Sequence, residues 1–170
     1  MSQSLGSSPL LDCISGRELN TPPSSSLAEK EKTRPRPSYM NSYDDQTKLC
    51  LACLAALDGV GPVSIRKLLS AAGGQSEELR RLLDLPTPAL QSEFGLARSI
   101  AQNISSIDDP LRNGEAVCRR VSSAGGQVLF EGEPAFPSRL TSVLSEKAPP
   151  VLFVRGAPAV LQQPTVSIVG

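Results

Sequence analysis

The chain has 170 residues, and its 17 lysines and arginines are balanced by 17 aspartates and glutamates, a formal net charge of zero. No global field draws it to nucleic acid or to a membrane, so any such attraction has to come from a local patch. Histidine is absent, which excludes Ser-His-Asp and Cys-His catalysis within the chain and any His-ligated metal. Tryptophan is absent too and aromatics make up 4%, so the core has to be built from Leu, Val, Ile and Ala. The length suits one domain or two small ones.

Residues 1–43 are rich in Ser, Pro and charge, and their apolar residues show no period. Such a segment buries too little apolar surface to offset its chain entropy, which predicts a disordered tail. A Pro-rich docking peptide at Arg34-Pro35-Arg36-Pro37-Ser38 is the alternative reading.

From Asp44 the pattern turns helical. Asp44 or Asp45 can cap a helix whose Leu49, Ala52, Cys53, Ala56 and Leu57 recur at helical spacing. Cys50 and Cys53 form a CxxC inside this apolar pattern, with no second pair to complete a zinc site. They read as buried thiols, and with nothing requiring a disulfide the expected compartment is the cytoplasm. No apolar run approaches the about 20 residues that span a bilayer, and no basic stretch followed by an apolar one marks a secretory signal.

Further helices are predicted in turn. Ser64–Ala72 should end at Gly73-Gly74, and a third helix should be capped by Ser76, with Glu77 and Glu78 in its first turn. A short helix should start at Pro88, another should run near Phe94–Ile107, and a last one roughly Leu111–Ala124. The character then switches. Gln127–Gly132 reads as a strand and Glu133–Leu140 as a turn into a short helix. Ala148–Gly156, opened by Pro149-Pro150, reads as a strand, Pro158–Gln163 as a short connection and Thr165–Gly170 as a further strand. Helices first and then strands with short helices predict a small helical domain, 44–125, followed by the opening of an α/β domain, 126–170. The strands are near-continuously apolar, as when both faces of a sheet are covered.

The stretch Leu54–Ala72 has the form of a helix-hairpin-helix around Gly59-Val60-Gly61. Two glycines permit positive φ and leave the backbone bare, so hairpin and helix-start N–H groups can face a phosphate. Val60 should pack between the helices, Pro62 suits a first helical turn, and Arg66 and Lys67 are placed to reach the same phosphate. Such contact is independent of sequence and weakens with salt. The plainer alternative is a helical pair whose glycines only allow a tight turn.

The final third carries a resemblance. Glu133, Phe136, Pro137, Leu140, the run Pro149-Pro150-Val151-Leu152-Phe153, Arg155-Gly156, and Val166, Ile168, Val169 and Gly170 resemble, in order and spacing, the DprA/Smf family, DNA-processing proteins of bacterial natural transformation. Phe136 stands where Tyr is usual and Ser167 where Ala is usual. The resemblance implies an α+β chain: a helix-hairpin-helix/SAM-like helical domain, then the incomplete start of a Rossmann-like α/β domain. It implies non-catalytic binding of single-stranded DNA in DNA uptake and recombination, with a RecA-type recombinase as partner and self-association through the larger family domain. Its main DNA pocket begins with a Gly-Ser-Arg turn, of which Gly170 matches the Gly, so the chain reads as a fragment lacking most of that pocket.

The expected DNA-binding residues are therefore Gly59, Val60, Gly61, Arg66, Lys67, Arg155 and Gly170, with Arg155 also readable as a solvated strand end. No catalytic residue, metal or cofactor is expected. A helical interaction module without a DNA role is the competing reading. An enzyme built on the Rossmann-like start lacks a complete Gly-rich loop and any catalytic group to argue from.

Overall fold

The computed structural model describes residues 43–164, which belong to a single packing unit. Helix α1, Asp45–Ala55, lies at its centre. Asp44 caps it, accepting from the Thr47 N–H at 2.8 Å and from the Thr47 hydroxyl at 3.1 Å, which leaves the buried Thr47 satisfied. Cys50, Leu51, Ala52, Cys53 and Leu54 are all buried. A helix that is apolar nearly all round belongs inside a fold, and α1 is accordingly packed by α2 (Pro62–Ala71), α3 (Ser76–Leu83), α6 (Pro110–Ser123) and β2 (Val151–Arg155).

The helices follow the predicted order with local differences. Ser76 is the first residue of α3 and Gln75 takes the cap position, without a side-chain bond. Helix α4, Thr87–Phe94, begins one residue ahead of Pro88, which sits in its first turn as a residue lacking an N–H should. Phe94 ends α4 instead of opening the next helix, because Gly95 turns left-handed at φ 60°, and α5 occupies Arg98–Ser105. Asp109 caps α6 by accepting from Leu111 and Arg112.

Strand β1, Gly126–Phe130, pairs antiparallel with β2, setting Phe130 against Val151, Val128 against Phe153 and Gly126 against Arg155. The described residues thus form an α+β fold. Phe130 and Val151 join the helical core, with Val128 partly buried against it, while Leu129 on the opposite sheet face is 4% exposed. Both faces bury apolar side chains, which accounts for the near-continuous apolar strands. Between the strands run α7, Ser138–Leu144, and a 3-10 turn at Ser145–Lys147, and a second 3-10 turn follows at Pro158–Gln162. The expected strand at 165–170, and the tail up to residue 42, lie outside the described residues.

The Glu131-Gly132-Glu133 turn locks the strands to the helices. Arg66 on α2 donates to Glu131 at 2.9 Å and to the Ala148 carbonyl at 2.7 Å. Lys48 on α1 pairs with Glu133 at 2.9 Å, and this hydrogen bond raises the pKa of its ammonium. The other oxygen of Glu133 accepts from the Phe130 N–H.

Candidate nucleic-acid interface

The hairpin is built by residues that cannot continue α1. After the cap at Ala56 the chain turns through Asp58, and Gly59 takes φ 76°, a conformation costly for any residue with a Cβ. Val60 turns inward and is 8% exposed, anchoring the loop in the core. Gly61 is extended at φ −91°, ψ 172° and serves as cap of α2 without offering a side chain, with Pro62 next. A Cβ at Gly61 would meet nothing within 4 Å, so this backbone is bare. Gly59, Val60, Gly61 and Pro62 thus make the tight turn between α1 and α2.

The two cations assigned to phosphate sit differently. The Arg66 side chain is only 17% exposed and is held by Glu131 and the Ala148 carbonyl, so its guanidinium belongs to the helix–strand interlock. Lys67 is exposed and donates to the Phe94 carbonyl at 3.1 Å, at the end of α4. Arg155 is exposed at the end of β2. Gly170 lies outside the described residues.

The Lys67 bond leads to a second hairpin that sequence reasoning missed. Residues 94–97, between α4 and α5, repeat residues 58–61 at an offset of 36 positions. Gly95 is left-handed at φ 60° as Gly59 is at 76°. Leu96, 6% exposed, occupies the place of Val60, and Ala97, extended at φ −60°, ψ 147°, that of the cap Gly61. The buried Leu54, Ile65 and Leu68 recur as buried Leu90, Ala101 and Ile104. The bonds between the halves are reciprocal: Asn103 on α5 donates to the Asp58 carbonyl at 2.9 Å, as Lys67 on α2 does to Phe94, and both donor and acceptor are again 36 apart. The signal was present in Gly59-Val60-Gly61 against Gly95-Leu96-Ala97. It was hidden because the extended cap position needs no glycine, so Ala97 breaks the visible motif.

Among the described residues the N–H groups of Gly59, Gly61, Leu96 and Ala97 meet no acceptor. The first-turn amides of α2 and α5 are without helical partners by construction. Each hairpin therefore presents donors at the positive end of a helix. Lys67 adds a charge beside the second hairpin, its Nζ 3.8 Å from where a Gly95 Cβ would lie. Asp58 is exposed at the first hairpin and opposes an anion there.

Burial pushes the thiols of Cys50 and Cys53 up to about 11, so at neutral pH they are packing groups, as expected from their apolar setting. Among the described residues no cluster of potential metal ligands occurs, and no helix is long and apolar enough to cross a membrane.

No family model, no curated protein and no solved structure matches the chain.

Proposed function

We propose that this chain binds the phosphate backbone of single-stranded DNA, without sequence preference and without chemistry on it, through its paired hairpins. The observation that carries this reading is the duplicated hairpin, with bare backbone donors at both copies and Lys67 lying against the second. Amides at helix starts suit phosphate oxygens, and contacts of this kind position a strand without reading its bases.

The DprA/Smf resemblance supports the same substrate and adds DNA uptake and RecA-dependent recombination as the setting, with a RecA-type recombinase as partner. The residues that carry the resemblance do structural work in the described part. Glu133 closes the turn onto Phe130, Phe136 is 4% exposed, and Pro150 and Val151 are buried. They support a shared architecture, including the proposed Rossmann-like continuation, more than a shared DNA pocket.

A second reading, a protein-interaction module, is favoured by exposed apolar residues on the strand half, where Phe153 is 44% and Val143 78% exposed. Fluorescence anisotropy with a labelled oligothymidine separates the two. DNA binding through phosphates should appear at low salt and fall with a log–log slope of about −0.7 per phosphate engaged. An interaction module gives no binding at any salt concentration.

A further inference from the structure

Arg66 and Lys67, the two cations nearest the first hairpin in sequence, are both engaged within the fold. A DNA surface at that hairpin then needs positive charge from elsewhere. Helix α6 supplies it. Where α6 runs past the C-terminal end of α1, the two helices leave an open groove of about 530 Å³. Cys53, Ala56, Leu57 and Val117 form its apolar walls, and Arg119 and Arg120 stand on the α6 side.

We infer that this groove continues the DNA path from the first hairpin, with Arg119 and Arg120 reaching the phosphates next to the one held by the hairpin amides. The inference rests on the DNA-binding reading above. Continuity is the first argument: Leu57 lines the groove and immediately precedes Asp58, where the hairpin begins. Charge is the second. Both arginines are exposed. The Arg120 guanidinium has no ion-pair or hydrogen-bond partner among the described residues, and Arg119 is held only by Glu115, at 3.2 Å in an exposed i,i+4 pair. Such a pair is weak and is readily exchanged for a phosphate. The walls are aliphatic and offer no ring for a base to stack on, so the groove should act on the backbone rather than on bases. Opposing carboxylates are Asp58 at the hairpin, Glu115 beside Arg119, and Asp109, whose charge is felt at Cys53 on the groove wall.

The test compares Arg119→Gln/Arg120→Gln, Arg119→Lys/Arg120→Lys and Gly61→Asp in the full chain, by anisotropy with labelled oligothymidine across a salt series. Thermal melts should be unchanged for both arginine pairs, since the side chains are exposed. The glutamine pair should weaken low-salt affinity about fivefold and make the salt slope shallower by about 0.7 for each phosphate that is no longer neutralised. The lysine pair should keep the slope. If the glutamine pair leaves affinity and slope unchanged while Gly61→Asp lowers affinity, the groove inference is overturned and the hairpin reading stands. A drop in affinity without a change in slope also overturns it. Absence of binding by the unaltered protein overturns both.

Discussion

Arg66 on α2 donates to Glu131 just after β1, at 2.9 Å, with both side chains 17% exposed. The pair joins the helical and strand halves, and in its desolvated setting neither charge can be left alone without cost. Glu131→Gln and Arg66→Gln should each lower stability, by about 2 kcal/mol, because each leaves the partner with an unmet charge. Urea denaturation of the single and double variants should show a coupling of about 1 kcal/mol; additive losses would mean that the two side chains do not act together.

Gly114 in the middle of α6 lies against the main chain of α1. A Cβ there would stand 2.1 Å from the Leu49 carbonyl oxygen. Alanine at an exposed helix position would gain about 1 kcal/mol over glycine. Here α1 and α6 would have to separate, disturbing the helix that organises the core. Gly114→Ala should therefore destabilise by a net of about 2 kcal/mol, read as a lower urea midpoint.

Cys50 and Cys53 are raised from the ordinary 9.0 to about 11 in the folded chain, foremost by burial. Once unfolded, the thiols ionise at their ordinary value and bind fewer protons than the folded state above it. Their contribution to stability is thus fully present below pH 9 and is lost as pH rises toward 11, up to about 2 kcal/mol per thiol. The urea midpoint should fall between pH 8.5 and about 10.5, and Cys50→Ala/Cys53→Ala should flatten that dependence.

Asp58 puts a carboxylate beside amides proposed to hold a phosphate. Its main-chain carbonyl, not its side chain, accepts from Asn103, so Asp58→Asn should leave the fold intact. Low-salt affinity for single-stranded DNA should rise about two- to fivefold, the scale of one exposed charge interaction. Unchanged affinity in an anisotropy titration would place the DNA away from this hairpin.

Most of the helical layout was legible because its signals are local. Asp44 caps where a short acidic residue should, Gly73-Gly74 follows the end of α2 in left-handed backbone, and Leu68 and Leu69 mark a buried face, whereas Gly95 was passed over inside a longer helix. What stayed hidden is long-range. Nothing near Arg66 in sequence announces Glu131, 65 residues on, so an arginine after a glycine hairpin read as a phosphate ligand. The second hairpin escaped because Ala97 replaces the glycine, although the buried positions around it repeat faithfully. Arg119 and Arg120 carry no local signal in the sequence, and only their place at the groove with Leu57 singles them out.

The paired hairpins are tested most directly by closing them with their own caps. Gly61 and Ala97 are both extended cap residues, and a Cβ at Gly61 has open space around it. Aspartate at either position can accept from the first-turn amides, occupying the proposed phosphate donors and adding negative charge. As a better cap than alanine it should also stabilise α5 by about 1 kcal/mol, with a few tenths at Gly61. Gly61→Asp/Ala97→Asp should therefore melt no lower than the unaltered chain, yet lose at least about tenfold in low-salt affinity for labelled oligothymidine. Full DNA affinity in a variant whose melt shows both caps in place would contradict the account.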